Sequence, residues 1–527
     1  MTKISRTARR QRARAQSQAP FVNPIPASQR TPAARPFLRL SAWEWWAGGI
    51  LVGSLILRLF DLSMKVLHHD EGVNGLFMTT LFRAGYYHYD PSNYHGPTLY
   101  YFGWITTTIN SLFFGKAGLS TDAIRMVTVL FGVGVVWLLL CLRRQLGDFG
   151  SLTAAALAAI SPGFVFFSRY FIHEVLFVFF SLGIVVAWLR FRETAKPRYL
   201  MLASASAALL GATKETWVIT IAVGAIAIPC TIIYSRLLNI PSEPTVPLPA
   251  NTNNLNLYGT AALLFVTVWV LFYSSFFTNF PQGVYDSFLT FTYWFKTSSS
   301  AHRYGWQEYL QWLWKAEPAT VVLGGLGLGL TFATARNRFA VFAAFWAVGI
   351  LGAYSLVPYK TPWLSLNILL PFIVVAGYGL EQIHRWLRPA AWLLLVPGLA
   401  ICLYMAIGVS FFRYDDDREP YVYAHTNREL LLMVDQINNV AEHDPAGNDI
   451  GVTVMSPEHW PLPWYLRDYK NAGYWGKVID SREPILVVHE TQVQEVEEKL
   501  GANYRLVRSY TLRPGNRLFL YVRKSPN

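Results

Sequence analysis

Charge is the scarcest property of this chain. Of its 527 residues only 15% are Asp, Glu, Lys or Arg, against about 25% in a soluble domain. Apolar runs of span length recur from residue 43 to 412. Together these exclude an ordinary soluble enzyme and predict an α-helical polytopic membrane protein. Cysteine is equally thin. Cys141, Cys230 and Cys402 all sit inside apolar runs, which excludes a disulfide framework and a thiolate metal site. The sequence also lacks an internal repeat and a glycine-rich nucleotide-binding fingerprint.

Acidic residues are missing from the first 43 positions, which hold nine basic ones, while the remaining chain has 36 basic against 32 acidic. Residues 1–42 therefore read as an unstructured cytoplasmic tail lying over anionic lipid. Nucleic acid is not an expected partner, because no folded binding module accompanies the charge.

Sidedness follows from where the basic residues fall. The tail, Arg143/Arg144, Arg190 to Arg198, Arg236, Arg336/Arg338 and Arg385/Arg388 all share one side if the Tyr- and Thr-rich run at 98–115 lies in the interface and does not cross. This arrangement gives about eleven spans in 43–412 and an amphipathic outer helix at 98–115. It leaves two large outer loops, 61–120 and 278–318. The protein is then a multi-pass protein of the plasma membrane with its polar cluster facing outside.

The last stretch, 413–527, holds 17 of the 32 acidic residues. Glu429 to Ala441 has helical periodicity, Ile450 to Val454 and Leu518 to Val522 alternate like strands, and Ile485 to Val488 leads into a helix at 491–500. A small soluble extracytoplasmic α/β domain is expected.

Ionisable residues bordering spans are costly and point to function. His68-His69-Asp70-Glu71 is the densest such group. Asp70 and Glu71 suit a carboxylate base or a metal ligand. Glu174, in Arg169-Tyr-Phe-Ile-His173-Glu174, supplies a third carboxylate on the same side. Arg125, Arg169, Lys214 and Lys360 are the candidate phosphate contacts. A divalent metal ion held by Asp70 with His95 and His302 is the one cofactor this set admits. Each of these residues also has a bland alternative, such as a helix cap, a snorkelling arginine or a simple ion pair. Carboxylates, cations and aromatics on one outer face suit transfer of a sugar from a lipid phosphate, with the carboxylate activating the acceptor and a cation receiving the leaving phosphate.

These motifs resemble the GT-C-fold membrane glycosyltransferases, in layout the dolichyl-phosphate-mannose–protein mannosyltransferases and the aminoarabinose transferase of lipid A. The resemblance rests on Asp70-Glu71, His95-Gly96-Pro97, Ser168-Arg169 with Glu174, Lys214, and Tyr359-Lys360-Thr361-Pro362. His95-Gly96-Pro97 departs from the acid and Lys found in relatives. His-Asp-Glu-Gly, His-Gly-Pro-Thr and Glu458-His459-Trp460 particularly resemble a flippase-activity-associated subgroup of archaeal and bacterial glycosylation. The resemblance implies an inverting glycosyltransferase using a polyprenyl-phosphate sugar, with catalytic Asp70, Glu71 and Glu174 and a protein, lipid or glycan acceptor. A lipid-linked sugar flippase or accessory, and a scaffold recruiting partners through the last domain, are the competing readings.

Overall fold

The structure is a computed structural model describing residues 40–524, apart from 94, 244, 250–252 and 301–302. The expected basic tail, up to residue 39, and His302 lie outside the described residues. From Trp46 onward the chain forms one compact unit.

The first part is helical: α1 (Ala42–Leu59), α2 (His69–Ala84), α3 (Thr98–Phe114), α4 (Thr121–Leu140), α5 (Asp148–Ile160), α6 (Glu174–Thr194), α7 (Pro197–Gly211), α8 (Trp217–Leu237), α9 (Asn254–Tyr273), α10 (Gln282–Ser300), α11 (Glu308–Ala316), α12 (Pro318–Thr334), α13 (Arg338–Leu356), α14 (Ser365–Trp386) and α15 (Arg388–Ile407). Starts are written locally. Ser120 Oγ accepts from Ala123 N, and Asn337 Oδ1 from Ala340 N, as side-chain caps of α4 and α13.

Seven described helices are long and apolar enough to cross a bilayer, or eight if α11 and α12, bent by 113°, count as one span. The expected count of about eleven also took in the runs at 43–61, 150–167 and 199–213. The last two fold as α5 and α7, only 13 and 15 residues long, short of the ~20 needed at full bilayer thickness. Helix α3, at the stretch expected to lie in the interface, is not among the candidate spans.

Helix α14 is the axis. It is buried on nearly every side, and its neighbours reach it through glycine. A Cβ on Gly377 would sit 2.6 Å from Gly150 O, and one on Gly327 2.2 Å from Val375 O. Only hydrogen fits there, so α5 and α12 approach α14 to backbone contact.

Long helices join two poles. Glu174 begins α6 beside one cavity and Arg192 ends it beside another, about 27 Å apart at 1.5 Å per residue. Helix α13 does the same with Tyr354 and Arg338. The acidic and arginine groups separated by sequence thus occupy opposite ends of the same helices.

Beyond Phe412 the chain builds a five-stranded sheet of order β2-β1-β3-β5-β4, from β1 (Val452–Met455), β2 (Ala472–Trp475), β3 (Ile485–His489), β4 (Tyr504–Arg513) and β5 (Asn516–Arg523). The first three run parallel, and β4–β5 is an antiparallel hairpin turning at Gly515 with φ 79°. Helix α16 (Glu429–Glu442) covers one face and α17 (Val493–Leu500) the other. Burial on both sides explains the wholly apolar Ile485-Leu-Val-Val488.

Candidate functional site

A cleft of about 450 Å³ lies at the acidic pole. Its walls come from six places: the start of α2, the loop before α3, the start of α6, the α7–α8 turn, Trp294 of α10 and the 354–364 segment. The sheet domain adds Tyr423, Glu458 and Arg513.

The start of α2 separates two adjacent carboxylates. His68 caps the helix: its Nδ1 accepts from Asp70 N (3.1 Å), while Glu71 Oε2 accepts from His68 N (3.0 Å). His68 Nε2 then donates to Tyr423 O at 2.9 Å, which fixes the neutral tautomer with its proton on Nε2. Burial lowers the affinity of this ring for a proton, in agreement.

Glu71 points into protein. It accepts from Arg125 Nε (2.8 Å) and Nη2 (2.7 Å), and from Phe171 N (2.7 Å), with both side chains of the pair fully buried. Burial alone would raise this carboxyl, but the fork of Arg125 and the N–H donors hold it below the usual carboxylate range. Arg125 completes its fork on Leu62 O and Lys65 O. This pair is committed to holding the loop.

Asp70, one position earlier, faces the cleft. Among the described residues its carboxylate accepts no hydrogen bond, whereas every lobe of Glu71 is occupied. His69 stands beside it. Burial, then the Arg513 guanidinium, push His69 down to about 4 against the pull of Asp70, so the ring is neutral near pH 7.

Across the cleft, Glu174 and Lys214 form an ion pair whose side chains are 3% and 5% exposed. Glu215 Oε2 lies 3.1 Å from His95 Nδ1. The backbone makes this possible. Gly96 N donates to Thr213 O at 3.0 Å, and His95 pairs with Lys214 as an isolated antiparallel bridge. A Cβ on Gly96 would fall 2.0 Å from Ala212 O. The His-Gly-Pro departure is therefore a strand-like crossing that only glycine allows, and it delivers His95 to the acids.

The remaining predicted residues are placed elsewhere. Arg169 donates to Arg58 O (3.0 Å), Phe60 O (2.5 Å) and Asp61 O (2.7 Å), closing the carbonyl end of α1. Lys360 Nζ does the same for α13, through Tyr354 O (3.0 Å), Ser355 O (2.9 Å) and Val357 O (2.5 Å). Its neighbours Tyr359, Thr361 and Trp363 reach the cleft instead. Asp70, Glu174, Lys214 and His95 are brought together; Glu71, Arg125, Arg169 and Lys360 serve the frame around them.

No three His, Cys, Asp or Glu side chains among the described residues converge as a metal centre. His95 Nδ1 lies 3.1 Å from Glu215 Oε2, and His302, the third ligand expected with Asp70 and His95, lies outside the described residues.

Arg513 is the residue sequence reasoning missed. It lies more than 400 positions after Asp70, in a strand with no motif, and reaches the cleft only because the sheet domain docks on α2. Its Nη2 donates to Trp460 O at 2.7 Å, and its Nη1 lies 3.4 Å from His69 Nδ1 and 3.6 Å from Glu458 Oε2. The docking face of α2 is glycine: a Cβ on Gly72 would meet Pro461 Cβ at 2.5 Å, and one on Gly75 would meet Trp464 at 2.6 Å.

With this geometry fixed, likeness to known proteins can be placed on it. The sequence profile described as dolichyl-phosphate-mannose-protein mannosyltransferase matches residues 95–239, from His95 to just past the end of α8. No characterised protein matches the chain by sequence. Among solved structures, ArnT from Cupriavidus metallidurans bound to undecaprenyl phosphate superposes with a TM-score of 0.65 at 12% identity, covering 90% of this chain and 98% of that one. Its apo state gives 0.64 at 12%, covering 91% and 98%. The apo oligosaccharyltransferase of Archaeoglobus fulgidus gives 0.50 at 14%, covering 90% and 70%.

Proposed function

We propose that this multi-pass membrane protein, whose chain has the GT-C fold, transfers a sugar from a polyprenyl-phosphate donor to an acceptor at the outer face of the plasma membrane. The observation that carries the reading is the contrast at α2: Glu71 is fully engaged, while Asp70 is turned into the cleft without a partner among the described residues. The undecaprenyl phosphate bound to the similarly folded ArnT supports a lipid-phosphate donor.

The acceptor hydroxyl gives its proton to Asp70 as its oxygen bonds to the anomeric carbon. The bond from that carbon to the phosphate oxygen breaks, and polyprenyl phosphate leaves with the electron pair. Lys214, held by Glu174 on the opposite wall, is the cation placed for the departing charge. One free carboxylate fits a single displacement, which inverts the anomeric centre. No step is assigned to a metal.

The test is incubation of purified protein with a labelled polyprenyl-phosphate sugar and membrane extract. Wild type should form a labelled glycoside and Asp70→Asn should not, with both proteins equally folded. Turnover by Asp70→Asn would remove Asp70 as base. Translocated lipid-linked sugar with no new glycoside would instead give the flippase reading.

A further inference from the structure

We propose that the arginine pole holds a second ligand, an anionic phospholipid whose headgroup sits on Arg192 and Arg338 and whose chain lies between α8 and α13. This site is separate from the reaction cleft and does not depend on the reading given to that cleft.

Two cavities outside the cleft meet there. One is a slot of about 520 Å³ walled by α6, α8 and α13, through side chains such as Ile184, Ile228, Phe342 and Trp346. The other, of about 410 Å³, is lined by Arg144, Arg192 and Arg338 with Glu193 and Glu243. They share Trp188, Leu189, Glu243 and Arg338, so the apolar slot opens into the charged one.

The charge there does not balance. Glu193 is already used by Arg144 (2.9 Å), Arg190 (2.8 Å) and Gln145 (2.6 Å). Glu243 accepts from Phe339 N at 2.9 Å, at the start of α13. Among the described residues Arg338 makes only a long contact to Ile240 O, 3.4 Å, and the Arg192 side chain has no partner. Two guanidinium groups therefore face one carboxylate at the mouth of an apolar slot. A phosphodiester with an attached chain satisfies both halves, whereas a soluble phosphate leaves the slot to water. Trp188 at the junction is the residue type that settles at the headgroup level. A pole rich in arginine also draws anionic lipid.

The whole protein, in phosphatidylcholine nanodiscs with and without phosphatidylglycerol, is examined by thermal melting and by native mass spectrometry of retained lipid. Phosphatidylglycerol should raise the melting temperature and co-purify in preference to phosphatidylcholine. Arg192→Gln with Arg338→Gln should weaken retention by roughly tenfold or more. Gly224→Leu, placed where an added Cβ meets open space in the slot wall, should displace the chain with both arginines intact. The proposal falls if phosphatidylcholine is retained equally, if inorganic phosphate alone produces the same shift, or if either variant keeps its phosphatidylglycerol.

Discussion

Two neighbouring carboxylates in His68-His69-Asp70-Glu71 have opposite fates because a helix turns by about 100° per residue. Glu71 meets Arg125 inside the protein and Asp70 meets the cleft. Glu71→Gln should therefore act on stability. It strands a fully buried guanidinium, a loss of about 3–5 kcal/mol for a broken buried pair, visible as a lowered melting temperature. Asp70→Asn should melt like wild type while losing transfer; equal melting of both variants would contradict the division. Acid sensitivity has two parts. Glu71 is held below its ordinary value, so its contribution is complete at neutral pH and is lost as pH falls through its lowered folded value. His69 is also depressed, from 6.5 to about 4. The unfolded chain binds that proton first, so stability declines as pH drops between those values. Melting curves from pH 7 to 4 should flatten in His69→Gln through that window.

At the scale of elements, much of the helical part could be read from apolar periodicity, and so could most of the sheet domain. The predicted helix at Glu429 and the strands at 450–454, 485–488 and 518–522 are present within two residues at most ends. Strands β2 and β4 escaped notice. Ala472–Trp475 is four residues at a sheet edge, and Tyr504–Arg513 carries Arg at three of its ten positions, so neither shows a clean apolar alternation. The site was half legible for a related reason. A charged residue beside a span announces itself, but whether it faces a cleft or caps a helix depends on carbonyls supplied from elsewhere. Arg169 and Lys360 turn to such carbonyls. Gly72 is the element-scale counterpart, since its missing side chain seats Trp460-Pro461 and with them Arg513. Gly72→Ala must push Pro461 away, at about 1–3 kcal/mol. It should loosen the sheet domain toward protease and reduce transfer, with the helical part still folded. Unchanged proteolysis and turnover would mean the domain is not seated this way.

For the whole molecule, the decisive quantity is which compartment each pole faces. Basic residues cluster at one end of the long helices and the cleft lies at the other, a separation of about 27 Å along α6. In the function proposed above, the bias of Lys and Arg toward the cytoplasm directs the cleft outward, to the side where the acceptor is expected. Two exposed side chains report the poles directly: Glu458, 44% exposed above the cleft, and Arg144, 65% exposed at the other end. Cys141, Cys230 and Cys402 lie in α-helical membrane segments or at their ends, so single cysteines can be read in a background with those three replaced. A membrane-impermeant maleimide added to intact cells should modify Glu458→Cys at once and Arg144→Cys only after lysis. If both are modified from outside, or the order is reversed, the charge bias does not set this topology. With the order reversed, the cleft would face the cytoplasm, and its donor would have to be a lipid-linked sugar not yet moved across the membrane.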